Sequence, residues 1–159
     1  MDQFEPTAAQ KSEGTRLLME LNEVCNQFGR EPCTFAALVT CGSLHIVAGL
    51  GEDRYAAECQ ESYGDAQRPG GPKPGASTIA AAFRMEDEEL ALTREATDAI
   101  VQLALRYSTF VFFHATLVYA ATLSLEAGDS EDGFTYLARQ AYRVAEKQFR
   151  EHRQPVARA

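Results

Sequence analysis

Tryptophan is absent from this chain, histidine and lysine occur three times each, and no CxxC pair, HExxH motif or phosphate-loop glycine pattern is present. Each absence removes a class of chemistry. The histidines, His45, His114 and His152, form neither a zincin motif nor the ExxH pair of a di-iron bundle. Cys25, Cys33, Cys41 and Cys59 are spaced by 8, 8 and 18 residues, which fits no zinc ribbon. No metal and no cofactor is therefore expected. Residues 64–77 (GDAQRPGGPKPGAS) bring glycine, lysine and serine together. They do not fit GxxxxGK[ST], and their prolines remove amide donors that would cradle a phosphate. The acidic start, Met1 to Pro6, lacks the basic and then apolar pattern of a secretory leader. A cytoplasmic protein with reduced, mostly core-packed cysteines is the expectation.

Positive charge is also scarce, and it is unevenly placed. Residues 139–159 carry six Arg/Lys and two Glu, a local +4. The other 138 residues carry nine Arg/Lys against 21 Asp/Glu, a local −12. An acidic body repels phosphates, so nonspecific nucleic-acid binding is disfavoured, while a basic partner is favoured. Arginine outnumbers lysine twelve to three, a bias that suggests a high-GC bacterial or phage genome.

What the chain has is helical periodicity. With 159 residues and 45% apolar content it predicts one mostly α domain, a bundle of five or six helices interrupted by a flexible Pro/Gly linker at 64–77. Thr7 and Gln10 form a capping box for a first helix over 7–28, whose stripe is Leu17, Leu18, Leu21, Val24, Cys25 and Phe28. Gly29 ends it, and Pro32 is expected to block continuation. Residues 34–50 read as a buried small-residue helix capped by Thr34. The alternative is a short β-hairpin at 38–47 turning on Gly42 and Ser43. A short helix over 52–62 and another over 78–83 are expected. The acids 86–89 suit the start of a helix that runs to Tyr107 with Leu90, Ala96, Ile100, Leu103 and Leu105 inward. The same acids could hold a cation or a basic partner, but consecutive helical residues diverge.

Residues 107–125 contain no Asp, Glu, Lys or Arg. That length is enough for a membrane span. The interspersed Ser, Thr and His114, and the missing flanking basic cluster, favour a fully buried central helix at 110–125 instead. No membrane span is expected. A last helix over 131–151, capped by Asp129 or Ser130, buries Phe134, Leu137, Ala138, Ala141, Ala145 and Phe149. It turns Arg139, Arg143, Lys147 and Arg150 to solvent, a basic face that could grip nucleic acid or an acidic partner.

Four residues are candidates for chemistry. On a helix, Cys41 and His45 lie one turn apart, the minimal spacing for an imidazole-activated thiolate; in the hairpin they face opposite ways. His114 within the apolar helix reads as a core histidine that could switch or bind, with Tyr119 as a neighbour in a pocket. Leu117, Ala121, Gly128, Asp129 and the run from Tyr136 to Ala141 resemble one helix pair of the tetratricopeptide repeat, with Gly133 where that family usually has Ala. A single unit implies an αα-hairpin but no stacked array, which needs three or more. The leading functional expectation is a non-enzymatic, partner-binding or regulatory protein with a protein partner, self-associating as a homodimer. The alternatives are a small-molecule or catalytic pocket near His114, and a regulator that docks nucleic acid through the basic C-terminal helix.

Overall fold

The computed structural model describes residues 5–157, and side chains as far as residue 152. Among these residues are six α-helices: α1 (Ala8–Phe28), α2 (Arg30–Val47), α3 (Glu52–Ala66), α4 (Asp87–Arg106), α5 (Thr109–Glu126) and α6 (Glu131–Ala157). A single 3-10 turn, Ala81–Arg84, precedes α4. The chain is a mostly α bundle, as the periodicity predicts. It alternates between two layers, with α1, α5 and α3 in one and α4, α2 and α6 in the other.

Local chemistry sets the helix ends. The Thr7 hydroxyl accepts from the Gln10 amide at 3.1 Å, and the Gln10 side chain accepts from the Thr7 amide at 2.8 Å. A cap of this kind stabilises a helix by roughly 1 kcal/mol. The Ser130 hydroxyl accepts from the Gly133 amide and starts α6. At α4, Glu86 and Glu89 make the reciprocal box, so part of the acidic run is engaged in capping.

α1 ends at Phe28 with Gly29 as its cap, as expected, but Pro32 does not delay the next helix. α2 begins at Arg30, directly after Gly29, and Pro32 lies in its first turn, where no intrahelical partner awaits its missing N–H. Thr34 is inside the helix and donates to the Arg30 carbonyl at 2.7 Å instead of capping it. The hairpin at 38–47 does not form. α2 is the true centre of the bundle, with 11 of its 18 residues buried. Its small side chains make that possible: a Cβ on Gly42 would lie only 3.4 Å from the Tyr142 α-carbon of α6.

α5 was expected to be buried all round, and it is not. It occupies the middle of its layer, but only 10 of its 18 residues are buried, and Phe110 and His114 are exposed. It is also the one described helix long and apolar enough to cross a membrane, by length and composition. On α4, Ala96, Ile100 and Leu103 point inward as expected, whereas Leu90 and Leu105 are 50% and 75% exposed. The helix pair implied by the tetratricopeptide resemblance is not built either. α6 packs on α2 and α3, while α5 packs on α1, α2 and α3.

The Pro/Gly segment has a pinned end. The Ser77 amide donates to the Gly128 carbonyl, and the Ser130 amide donates to the Ser77 carbonyl at 2.8 Å. Gly75 crosses so closely that a Cβ would meet the Gly128 oxygen at 1.9 Å, and one on Gly133 would meet the Ser77 oxygen at 2.8 Å. Expected flexibility therefore does not extend to residues 75–77. Asp129, 2% exposed, holds this corner. Its carboxylate accepts from the Ala81 amide at 2.9 Å and from the Ser124 hydroxyl, and its carbonyl accepts from Tyr63 at 2.7 Å.

Orphaned buried donors cost about 1–3 kcal/mol each. Asp129→Ala should accordingly lower stability by about 2–3 kcal/mol in urea unfolding. Gly75→Ala should also destabilise, through its clash with the Gly128 carbonyl. A loss within about 0.5 kcal/mol for both would show that the strap contributes nothing beyond an ordinary surface loop.

Candidate functional site

The open side of α5 is the floor of a groove. α1 and α3 flank α5, and between them Val111, Ala115 and Val118 form an apolar base in a cavity of about 950 Å³. Phe110 and His114 lie at one end, their rings stacked with planes 6° apart. The α1 wall presents Gln10, Lys11, Gly14, Thr15 and Leu18, with Glu5 and Pro6 before it. The α3 wall presents Glu61 and Asp65. Leu18, assigned to the core stripe by periodicity, is half-buried and faces this space. Because α5 carries no Asp, Glu, Lys or Arg before its last residue, Glu126, exposing its middle creates an apolar floor without any special arrangement.

Tyr119 does not join His114. Its hydroxyl donates to Asn22 at 2.7 Å, and burial raises its pKa. It lines a smaller depression of about 410 Å³ with Cys25, Arg30, Arg68 and Glu126. Leu18 and Val118 line both spaces, so the depression continues the groove along α5.

Cys41 and His45 do share one face of α2, as the helical reading requires, but both are sealed inside. Burial, reinforced by Cys59, holds the Cys41 thiol well above its ordinary pKa of 9.0. Burial lowers the His45 pKa below its ordinary 6.5. A thiolate–imidazolium pair needs both shifts reversed, so activated-cysteine chemistry is not supported. His45 stacks on Phe113 with ring centroids 5.4 Å apart, and its Nδ1 lies 3.9 Å from a Glu58 oxygen. Its Nε2 is buried without a hydrogen-bond partner. The core histidine of this protein is therefore His45, whereas His114 is exposed. Among the described residues, no three His, Cys, Asp or Glu side chains converge as a metal-binding group.

The basic face of α6 is partly consumed. Arg139 contacts Glu52 at 3.1 Å and Asp53 at 2.8 Å, and Arg143 contacts Glu52 at 2.8 Å. Arg150 pairs with Glu146 on its own helix at 2.6 Å, while Lys147 is exposed. Two of the four residues expected to grip a partner thus tie α6 to the start of α3.

The groove walls had no marker in the sequence. The apolar residues of α5 are spread evenly around its axis, so no period distinguishes the exposed side. His114, a polar ring within the apolar stretch, was the only local hint. Comparison with known proteins finds no family model, no curated protein and no solved structure that matches this chain.

Two pH effects follow. The unfolded chain protonates His45 before the buried imidazole does, so stability present above 6.5 is lost as pH falls below that value toward the folded pKa. His45→Leu should flatten the melting-temperature profile between about pH 7 and 5 relative to wild type. Glu52 behaves differently. The Arg143 hydrogen bond, with Arg139, depresses its pKa below the ordinary 4.5. Its contribution is present above that value and lost as pH falls through the folded pKa. Glu52→Gln should remove that part of the acid limb while leaving the limb above pH 5 as it is. Profiles that superimpose on wild type would show that neither group is coupled to folding.

Proposed function

We propose that this chain is a non-enzymatic binding module that receives an apolar segment of a protein partner in the groove between α1 and α3. One observation carries the reading: a helix with no charged residue before Glu126 is left open along one side, with a floor of Val111, Ala115 and Val118 inside about 950 Å³. Open apolar troughs between helices suit amphipathic segments, whose side chains fill the floor while their polar edge stays wet. The buried titratable groups give no support to catalysis, since Cys41 is held as a thiol and His45 as the neutral ring. A cytoplasmic setting is consistent with four cysteines that are all free. Docking of nucleic acid through α6 is disfavoured by the engagement of Arg139 and Arg143 with Glu52 and Asp53.

Site-specific photo-crosslinking in the native cell tests this. A photoreactive residue in place of His114 should give a discrete protein adduct, and the same residue in place of exposed Glu95 on α4 should not. Val118→Glu should abolish the adduct without lowering the amount of folded protein. Identical adducts from both positions, or a small molecule captured at position 114 in place of a protein, would overturn the reading.

A further inference from the structure

The two walls of the groove are chemically unlike, and the difference specifies the occupant. On the α3 side, Glu61 and Asp65 stand one helical turn apart and are exposed at the rim. No ion pair within 4.0 Å and no side-chain hydrogen bond engages either of them among the described residues. Other acids on the same helix differ in this respect: Glu52 is held by Arg139 and Arg143, and Glu58 by Arg54. Glu5 adds a third carboxylate to the lining, and among the described residues Lys11 on the α1 side is the only Lys or Arg there. The groove is thus a net anion within a body that is itself acidic.

Its shape is equally restrictive. α1 and α3 each pack on α5, and packed helices stand roughly 8–10 Å apart. The opening above α5 is therefore about the width of one more helix, roughly 10 Å with side chains. We infer that the occupant is an α-helical segment of a partner protein, with apolar residues toward α5 and a basic edge toward Glu61 and Asp65. Basic residues three or four positions apart on that helix repeat at the same spacing as the two carboxylates. Lys11 on the opposite wall disfavours a second basic edge, so the occupant has one orientation. This deepens the groove reading and rests on it.

The test uses the full chain and three labelled synthetic helices of equal length. They share one leucine stripe and differ only in carrying Lys, Gln or Glu along one edge. Fluorescence anisotropy should rank binding Lys, then Gln, then Glu. Glu61→Gln with Asp65→Asn should weaken the Lys helix by roughly three- to tenfold, as expected for two rim charge pairs, and leave the Gln helix unchanged. Raising salt should erase the same difference. Thr15→Trp, at an exposed position on the α1 wall, should block all three helices without perturbing the core.

Equal binding of the Lys and Glu helices, still blocked by Thr15→Trp, would overturn the basic edge while supporting the groove. Failure of all three helices would overturn the helical occupant, and the crosslinking at position 114 would then decide the groove reading separately. Wild-type protein that is dimeric by light scattering and monomeric after Glu61→Gln with Asp65→Asn would assign the groove to a second copy, overturning the separate partner.

Discussion

The bundle depends on how closely other helices can approach α2. Gly42 presents a bare α-carbon to Tyr142, and Ala36, Ala37 and Cys41 are wholly buried around it. Small side chains along one helix let α4, α5 and α6 all pack against it, and close packing gives each neighbour a large share of dispersion contacts. From Pro32 to Val47 α2 has no Asp, Glu, Lys or Arg, as this position requires, since a charge there would have neither water nor a partner.

The placement of α2 at the centre leaves α5 with an unpartnered side. In two layers of three helices, α5 is backed by α2 and flanked by α1 and α3. No further element of the described chain lies over its outer face, so the most apolar helix supplies the floor of the groove. The corner held by Asp129 keeps the layers in register, because it joins the end of α5, the start of α6, α3 through Tyr63 and the turn before α4. Burying a carboxylate there is tolerable because amide and hydroxyl donors satisfy it.

Much of the local structure was legible along the chain. The Thr7–Gln10 cap, the stripe Leu17, Leu21, Val24 and Cys25, and the inward row of α6 are all consequences of helical spacing, and all are present. Where periodicity was weak, the reading went astray. α1 ends at Phe28 with Gly29 as its cap, as the spacing predicts, but the next helix starts at Arg30 and not at Thr34, which puts Pro32 in its first turn. Leu90 and Leu105 fit an inward row by composition, yet the row that meets α1 and α2 contains Ala96, Ile100 and Leu103. The resemblance of residues 117–141 to a repeat reflected small residues suited to close packing, and it could not say which helices would use them.

The amino-acid sequence by itself determined the class of fold, the caps that start α1 and α6 and the overall acidity, because spacing, side-chain size and charge act over one or two turns. Only the tertiary structure decided which face of α5 stays open, which histidine is buried and which arginines are engaged. Those outcomes depend on pairs distant in sequence, such as Arg139 with Glu52 and His45 with Phe113. Glu61, Asp65 and Val118 became one site because α3 and α5 pack side by side, and nothing in their local sequence distinguishes them from any other residues on a helix surface.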